Sequence, residues 1–208
     1  RLAARLGAGD VQGARADAEL LEAGARGAAA RFEATLRSAR TFLDRGYPDE
    51  AVRWFERALR VSPDDTAAVL GLGRSLREAG RPRRALDLFA RAVALAERRS
   101  EDTAPALLDL AKELVATAGD RPAAIARVRA VGKDAPEAPE ARALEVRWRL
   151  EIGDRAGAKL AASRVGDALE LAVEAGRVGV STSPSALRDD APSIVAGSIA
   201  REVASLVS

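Results

Sequence analysis

The chain has 208 residues and a formal net charge of +2, from 33 basic and 31 acidic side chains, so it carries no polybasic footprint for nucleic acid or an anionic membrane. It contains no His and no Cys, which removes imidazole bases, His and thiolate metal ligands, thiol nucleophiles and disulfides. Aromatics are 3% of residues against a large share of Ala, Leu and Arg, all strong helix formers, and no alternating β-branched run appears, so an all-α chain is expected.

Residues 1–31 hold Gly9 and Ala14, which stand 37 positions before Gly46 and Ala51 and predict a helical hairpin lacking most of its opening helix. Over 32–65 a first helix carries Leu36, Ala39, Phe42 and Leu43 and stops at Gly46, a residue suited to the left-handed position after a helix. Asp49 and Glu50 favour the start of a second helix, whose apolar stripe is Ala51, Trp54, Phe55, Ala58 and Val61. Pro63 ends it.

Residues 66–99 repeat this arrangement. Gly80, Pro82, Ala85, Phe89 and Ala92 each stand 34 residues after Gly46, Pro48, Ala51, Phe55 and Ala58. A period of that length signals an array of supersecondary units. Glu97 occupies the place of Pro63, and about five extra residues fall near 97–104. Two weaker units come next, at about 105–138 and 139–172, marked by Gly119/Ala124 and Gly153/Ala158, with Val128 and Ala162 in place of Phe. Residues 176–190 are rich in Gly, Ser and Thr and read as a linker. Over 191–208, Pro192 is followed by Ile194, Val195, Ile199, Val203 and Leu206, the pattern of an amphipathic helix that caps the array or docks into a partner.

These residues resemble the tetratricopeptide repeat (TPR) family. The small first-helix residue is matched by Ala39 and Gly73, the turn by Gly46 and Gly80, and the second helix by Ala51/Phe55/Ala58 and Ala85/Phe89/Ala92. The match is strong over 32–99 and weaker over the rest of 1–175. The resemblance implies a solenoid of helix hairpins wound as a right-handed superhelix, with the first helices lining a concave groove. It places Leu36, Arg40 and Leu43 of the first strong unit, Leu70, Arg74 and Arg77 of the second, and Arg147 of the last in that groove. Arg40, Arg74 and Arg147 occupy one equivalent position, and a guanidinium fork there suits carboxylates. The Lys/Asn/Arg clamp that one subset of the family uses on chaperone tails is not supported, since the chain has no Asn.

Signals for chemistry are sparse. Gly71-Leu72-Gly73 opens like a dinucleotide fingerprint but lacks the third Gly and a preceding strand. Gly132–Lys133 lacks the earlier Gly of a phosphate loop. Asp64–Asp65 and Asp189–Asp190 sit at expected helix boundaries, where Asp is ordinary. Arg81-Pro82-Arg83-Arg84 reads as solvated turn charge, since no aromatics interleave it. No catalytic residue, metal site or cofactor is expected.

The function expected is a non-catalytic adaptor or scaffold binding a peptide or amphipathic helix, with acidic residues, of another protein. Two alternatives stay open: self-assembly through residues 191–208, giving a homo-oligomer, and a regulatory part of a larger protein. No membrane-spanning stretch or signal peptide is visible, and a cytoplasmic location is expected. A start at Arg1 without Met is expected of a fragment or a processed chain.

Overall fold

A computed structural model describes residues 1–163, and among them every regular element is a helix. The expected linker 176–190, the helix 191–208 and the end of the 139–172 unit lie outside the described residues. The chain forms two compact units, the first spanning Arg1–Asp102 and the second beginning at Thr103.

The first unit holds α1 (Leu2–Gly7), α2 (Val11–Gly24), α3 (Ala28–Asp44), α4 (Pro48–Val61), α5 (Thr66–Glu78) and α6 (Pro82–Arg99). They pair as hairpins α1/α2, α3/α4 and α5/α6, and α4 also packs on α5. The second unit holds α7 (Ala104–Ala118), α8 (Arg121–Ala130), α9 (Ala138–Glu151) and a helix over 155–163.

The five turn glycines Gly9, Gly46, Gly80, Gly119 and Gly153 all take positive φ, from 66° to 79°. At four of them the hydrogen bonds coincide. The Gly46 N–H donates to the Leu43 carbonyl, and the Tyr47 N–H to the Phe42 carbonyl. Gly9, Gly80 and Gly153 repeat both bonds, which close a Schellman motif and satisfy carbonyls the helix leaves open. A side chain at these positions would be strained in the left-handed region, which is why the Gly spacing is the steadiest part of the pattern.

The residue after the glycine differs between hairpins. The α4 and α6 helices start on Pro48 and Pro82, whose missing N–H is no loss in the first turn. Hairpins α1/α2, α7/α8 and α9/155–163 instead use Asp10, Asp120 and Asp154 as N-caps, accepting from the Gly13, Ala123 and Gly157 amides at 2.8, 3.0 and 2.9 Å. In the first and last of these an Arg five residues earlier joins in: Arg5 on Asp10 at 2.7 Å and Arg149 on Asp154 at 2.5 Å. The backbone amide first, and the guanidinium second, hold both carboxyls below their ordinary range.

Phe42, Phe55 and Phe89 are fully buried and fill the seams between hairpin helices, while Ala39, Ala51, Ala58, Ala85 and Ala92 let the backbones approach. Phe42 stacks on Trp54 with ring centroids 6.2 Å apart, and Arg57 lies over the Trp54 ring at 5.4 Å while donating to Glu22 of α2 at 2.8 Å. The buried hydroxyls of Ser38 and Ser75 are satisfied inside their own helices, by the Ala34 and Gly71 carbonyls. Ion pairs tie successive hairpins together: Arg15 to Glu50 at 3.0 Å, Arg81 to Asp49 at 2.7 Å and Arg91 to Asp64 at 3.1 Å.

The extra residues near 100 have a physical account. Helix α4 stops at Val61, ahead of Pro63. Helix α6 has Glu97 at the matching place, so it runs a further turn to Arg99 and ends on Ser100 in the left-handed conformation, φ 55° and ψ 34°. The boundary between the two compact units comes directly after it.

Candidate functional site

In the first unit a cleft of about 250 Å³ opens between α3 and α5. Arg40, Leu43 and Asp44 of α3 form one wall, and Ala67, Leu70, Gly71 and Arg74 of α5 the other, with Phe55 of α4 beneath. Gly71 decides the shape of the floor. A Cβ built there would lie 2.3 Å from two atoms of the Phe55 ring, so the ring occupies space that any other residue would fill. The ring is 1% exposed, yet it reaches the cleft because α5 has no side chain at that point. Gly73 serves Phe89 in the same way, since a Cβ at Gly73 would fall 2.6 Å from that ring. The Gly71-Leu72-Gly73 run is therefore a packing device for two phenylalanines.

Of the seven residues expected to form the groove, Arg40, Leu43, Leu70 and Arg74 converge on this cleft. Arg40 is exposed and Arg74 half-buried, as are the two leucines. Three fall elsewhere. Leu36 is 5% exposed and belongs to the core, since it faces into the hairpin. The Arg77 guanidinium lies over the Phe89 ring at 5.3 Å, drawn toward the negative face of the aromatic and away from the cleft lining. Arg147 is exposed on α9, in the second unit. Sequence reasoning missed Phe55 and Gly71 as cleft residues. The available signal was Gly71 itself, which stands 34 residues after Arg37 and so breaks the repeat.

In the second unit several of the positions equivalent to the cleft walls are buried, although Arg147 is exposed. Ala106, Asp109 and Glu113 of α7 and Ala143 of α9 are all buried. Glu113 accepts from the Thr117 hydroxyl at 2.7 Å. On α9, Glu145 is 1% exposed and is held by Arg149 at 3.0 Å, with Arg142 and Arg129 at 3.7 and 3.8 Å. Arg142 also donates to the Val128 and Val131 carbonyls at 3.1 and 2.7 Å, closing the end of α8.

The basic turn after Gly80 is answered locally, Arg81 by Asp49 at 2.7 Å and Arg84 by Glu56 at 3.8 Å. Among the described residues no group of three or more Asp or Glu side chains is placed to hold a metal ion, and no helix is long and apolar enough to cross a membrane.

Hairpins in succession, with a cleft between neighbouring first helices, define a helical-repeat protein. Residues 36–102, from within α3 to the end of the first unit, match the model of the tetratricopeptide repeat family, so the chain carries TPRs over that span. No curated protein matches. Solved structures share the fold: BtubC from P. vanneervenii at 15% identity covers 90% of this chain and 84% of its own, with a TM-score of 0.65. MamA, at 21% identity, covers 84% and 95% with a TM-score of 0.62. YrrB, described as a TPR protein with an unusual peptide-binding site, covers 85% and 89% at 21% identity and a TM-score of 0.58.

Proposed function

We propose that this chain is a non-catalytic interaction module that holds a segment of another protein in the α3/α5 cleft. The observation that carries this reading is the cleft itself: two arginines at equivalent positions of successive repeats, Arg40 and Arg74, beside Leu43, Leu70 and the Phe55 floor. Guanidinium groups flanking an apolar trough select a carboxylate next to an apolar side chain. The volume, about 250 Å³, is below the usual range of about 300–1,000 Å³ for small-molecule sites and suits one or two side chains of a docked segment. That YrrB, which shares this fold, has a peptide-binding site supports the same reading.

The test is fluorescence anisotropy with a labelled helical peptide bearing two adjacent aspartates and a leucine one turn further on. Arg40→Glu/Arg74→Glu should weaken binding at least tenfold, the summed effect of two charge pairs turned repulsive. Unchanged affinity for the double variant would remove the arginines from the site.

A further inference from the structure

The charge order of the cleft is mirrored by a stretch of the same chain. Residues 187–206 lie outside the described residues; their sequence opens Leu187-Arg188-Asp189-Asp190-Ala191-Pro192 and continues with Ile194, Val195, Ile199, Val203 and Leu206 at helical spacing. The cleft offers two cations and one anion, Arg40, Arg74 and Asp44, around an apolar floor. The segment offers two anions and one cation, followed one turn on by branched apolar residues.

Among the described residues, the adjacent acidic pairs are engaged. Asp49 and Glu50 are held by Arg81 and Arg15. Asp64 is held by Arg91, and Asp65 caps α5 through the Ala68 amide at 2.8 Å. Glu101 faces Arg99 at 3.5 Å.

We propose that the α3/α5 cleft takes residues 187–206 of a second copy of this chain. The inference rests on the reading of the cleft as a site for a protein segment and names the segment. Asp189 and Asp190 meet Arg40 and Arg74, Arg188 meets Asp44, and Ile194 and Val195 lie over Leu43, Leu70 and Phe55. Asp190 and Ile194 are four residues apart, the spacing at which charge and apolar contact would come from one side of a helical segment. Such a contact is heterologous: a copy whose cleft is filled still presents its own segment. Assembly therefore closes at a dimer where two copies exchange segments, and otherwise runs on to a larger ring or an open chain.

Sedimentation velocity of the full chain over a hundredfold range of concentration tests this, with far-ultraviolet circular dichroism showing that each variant is folded. The wild type should gain mass with concentration, to a dimer or beyond. Asp189→Arg/Asp190→Arg and Arg40→Asp/Arg74→Asp should each weaken association at least tenfold, and the chain carrying all four changes should recover it. A wild type that stays monomeric throughout overturns the proposal, as does a segment variant that associates like the wild type or a fourfold variant that shows no recovery. Titrating the same chains with the labelled acidic peptide keeps the two readings apart. Monomers that bind the peptide through Arg40 and Arg74 leave the cleft as a site for another protein and refute the second copy. Monomers that bind nothing refute both.

Discussion

Gly71→Ala isolates the contact that shapes the cleft. In an open helix this substitution stabilises by about 1 kcal/mol, because Ala loses less backbone freedom than Gly. Here the new methyl falls 2.3 Å from Cε1 and Cζ of Phe55 and 3.1 Å from Cδ1. Ordinary carbon contacts are about 3.5–4.0 Å, so ring and helix must part by more than about 1 Å. Overpacking of that kind costs about 1–3 kcal/mol. Phe55 is fully buried and has little room to turn, which places the cost at the upper end and leaves a net loss of about 1–2 kcal/mol. Urea denaturation followed by circular dichroism would measure it. Gly24→Ala is the control, since a Cβ there meets nothing within 4 Å. Phe55→Leu is the rescue: combined with Gly71→Ala it should show a favourable coupling of about 1–2 kcal/mol in a double-mutant cycle. A Gly71→Ala protein as stable as wild type, with no coupling to Phe55→Leu, would refute the account of the floor.

Ser100→Gly should stabilise by about 1 kcal/mol in the same assay, because Ser100 ends α6 in the left-handed region at φ 55°. Asp10 and Asp154 titrate below their unfolded value, so the stability they contribute is present above that value and is lost as pH falls through the depressed folded one. Asn caps helices as well as Asp but does not titrate, so Asp10→Asn/Asp154→Asn should flatten the fall of melting temperature below about pH 4 while leaving the caps in place. Glu145→Ala leaves Arg142 and Arg149, both largely buried, without their shared anion and should cost about 3 kcal/mol by urea denaturation.

Much of the fold is legible because the residues that set it act locally. A left-handed turn after a helix admits little but Gly, so Gly9, Gly46, Gly80, Gly119 and Gly153 announce five hairpin turns without reference to packing. Ala and Phe at fixed offsets announce the helices that pack closely. The caps Asp10, Asp120 and Asp154 stand in the sequence as Gly-Asp pairs, a second way of starting the helix that the Gly-x-Pro spacing of the two strong units does not reveal. The cleft is half legible. Arg40, Leu43, Leu70 and Arg74 come from the family resemblance, which places the first helices along one groove, carried onto this chain by the repeat register. Leu36 and Arg77 depart from that placement, because theirs depends on partners that spacing cannot weigh, the hairpin core for one and the Phe89 ring for the other.

The arginine ladder inferred from register has a break that helps locate the site. The position held by Arg40, Arg74 and Arg147 is held in α7 by Glu113, which reverses the charge and is buried on the Thr117 hydroxyl. One turn back, Leu70 of the open cleft is replaced by Asp109, also buried. Where Gly71 leaves the Phe55 ring bare, α9 has Leu144 and α8 has Val128 instead of a phenylalanine. In the second unit the α7 cation, the open glycine and the aromatic floor are thus missing together, although Arg147 keeps its place on α9. Among the described residues, the two arginines, the two leucines and the Phe55 floor come together on α3 and α5, where Gly71 departs from the repeat.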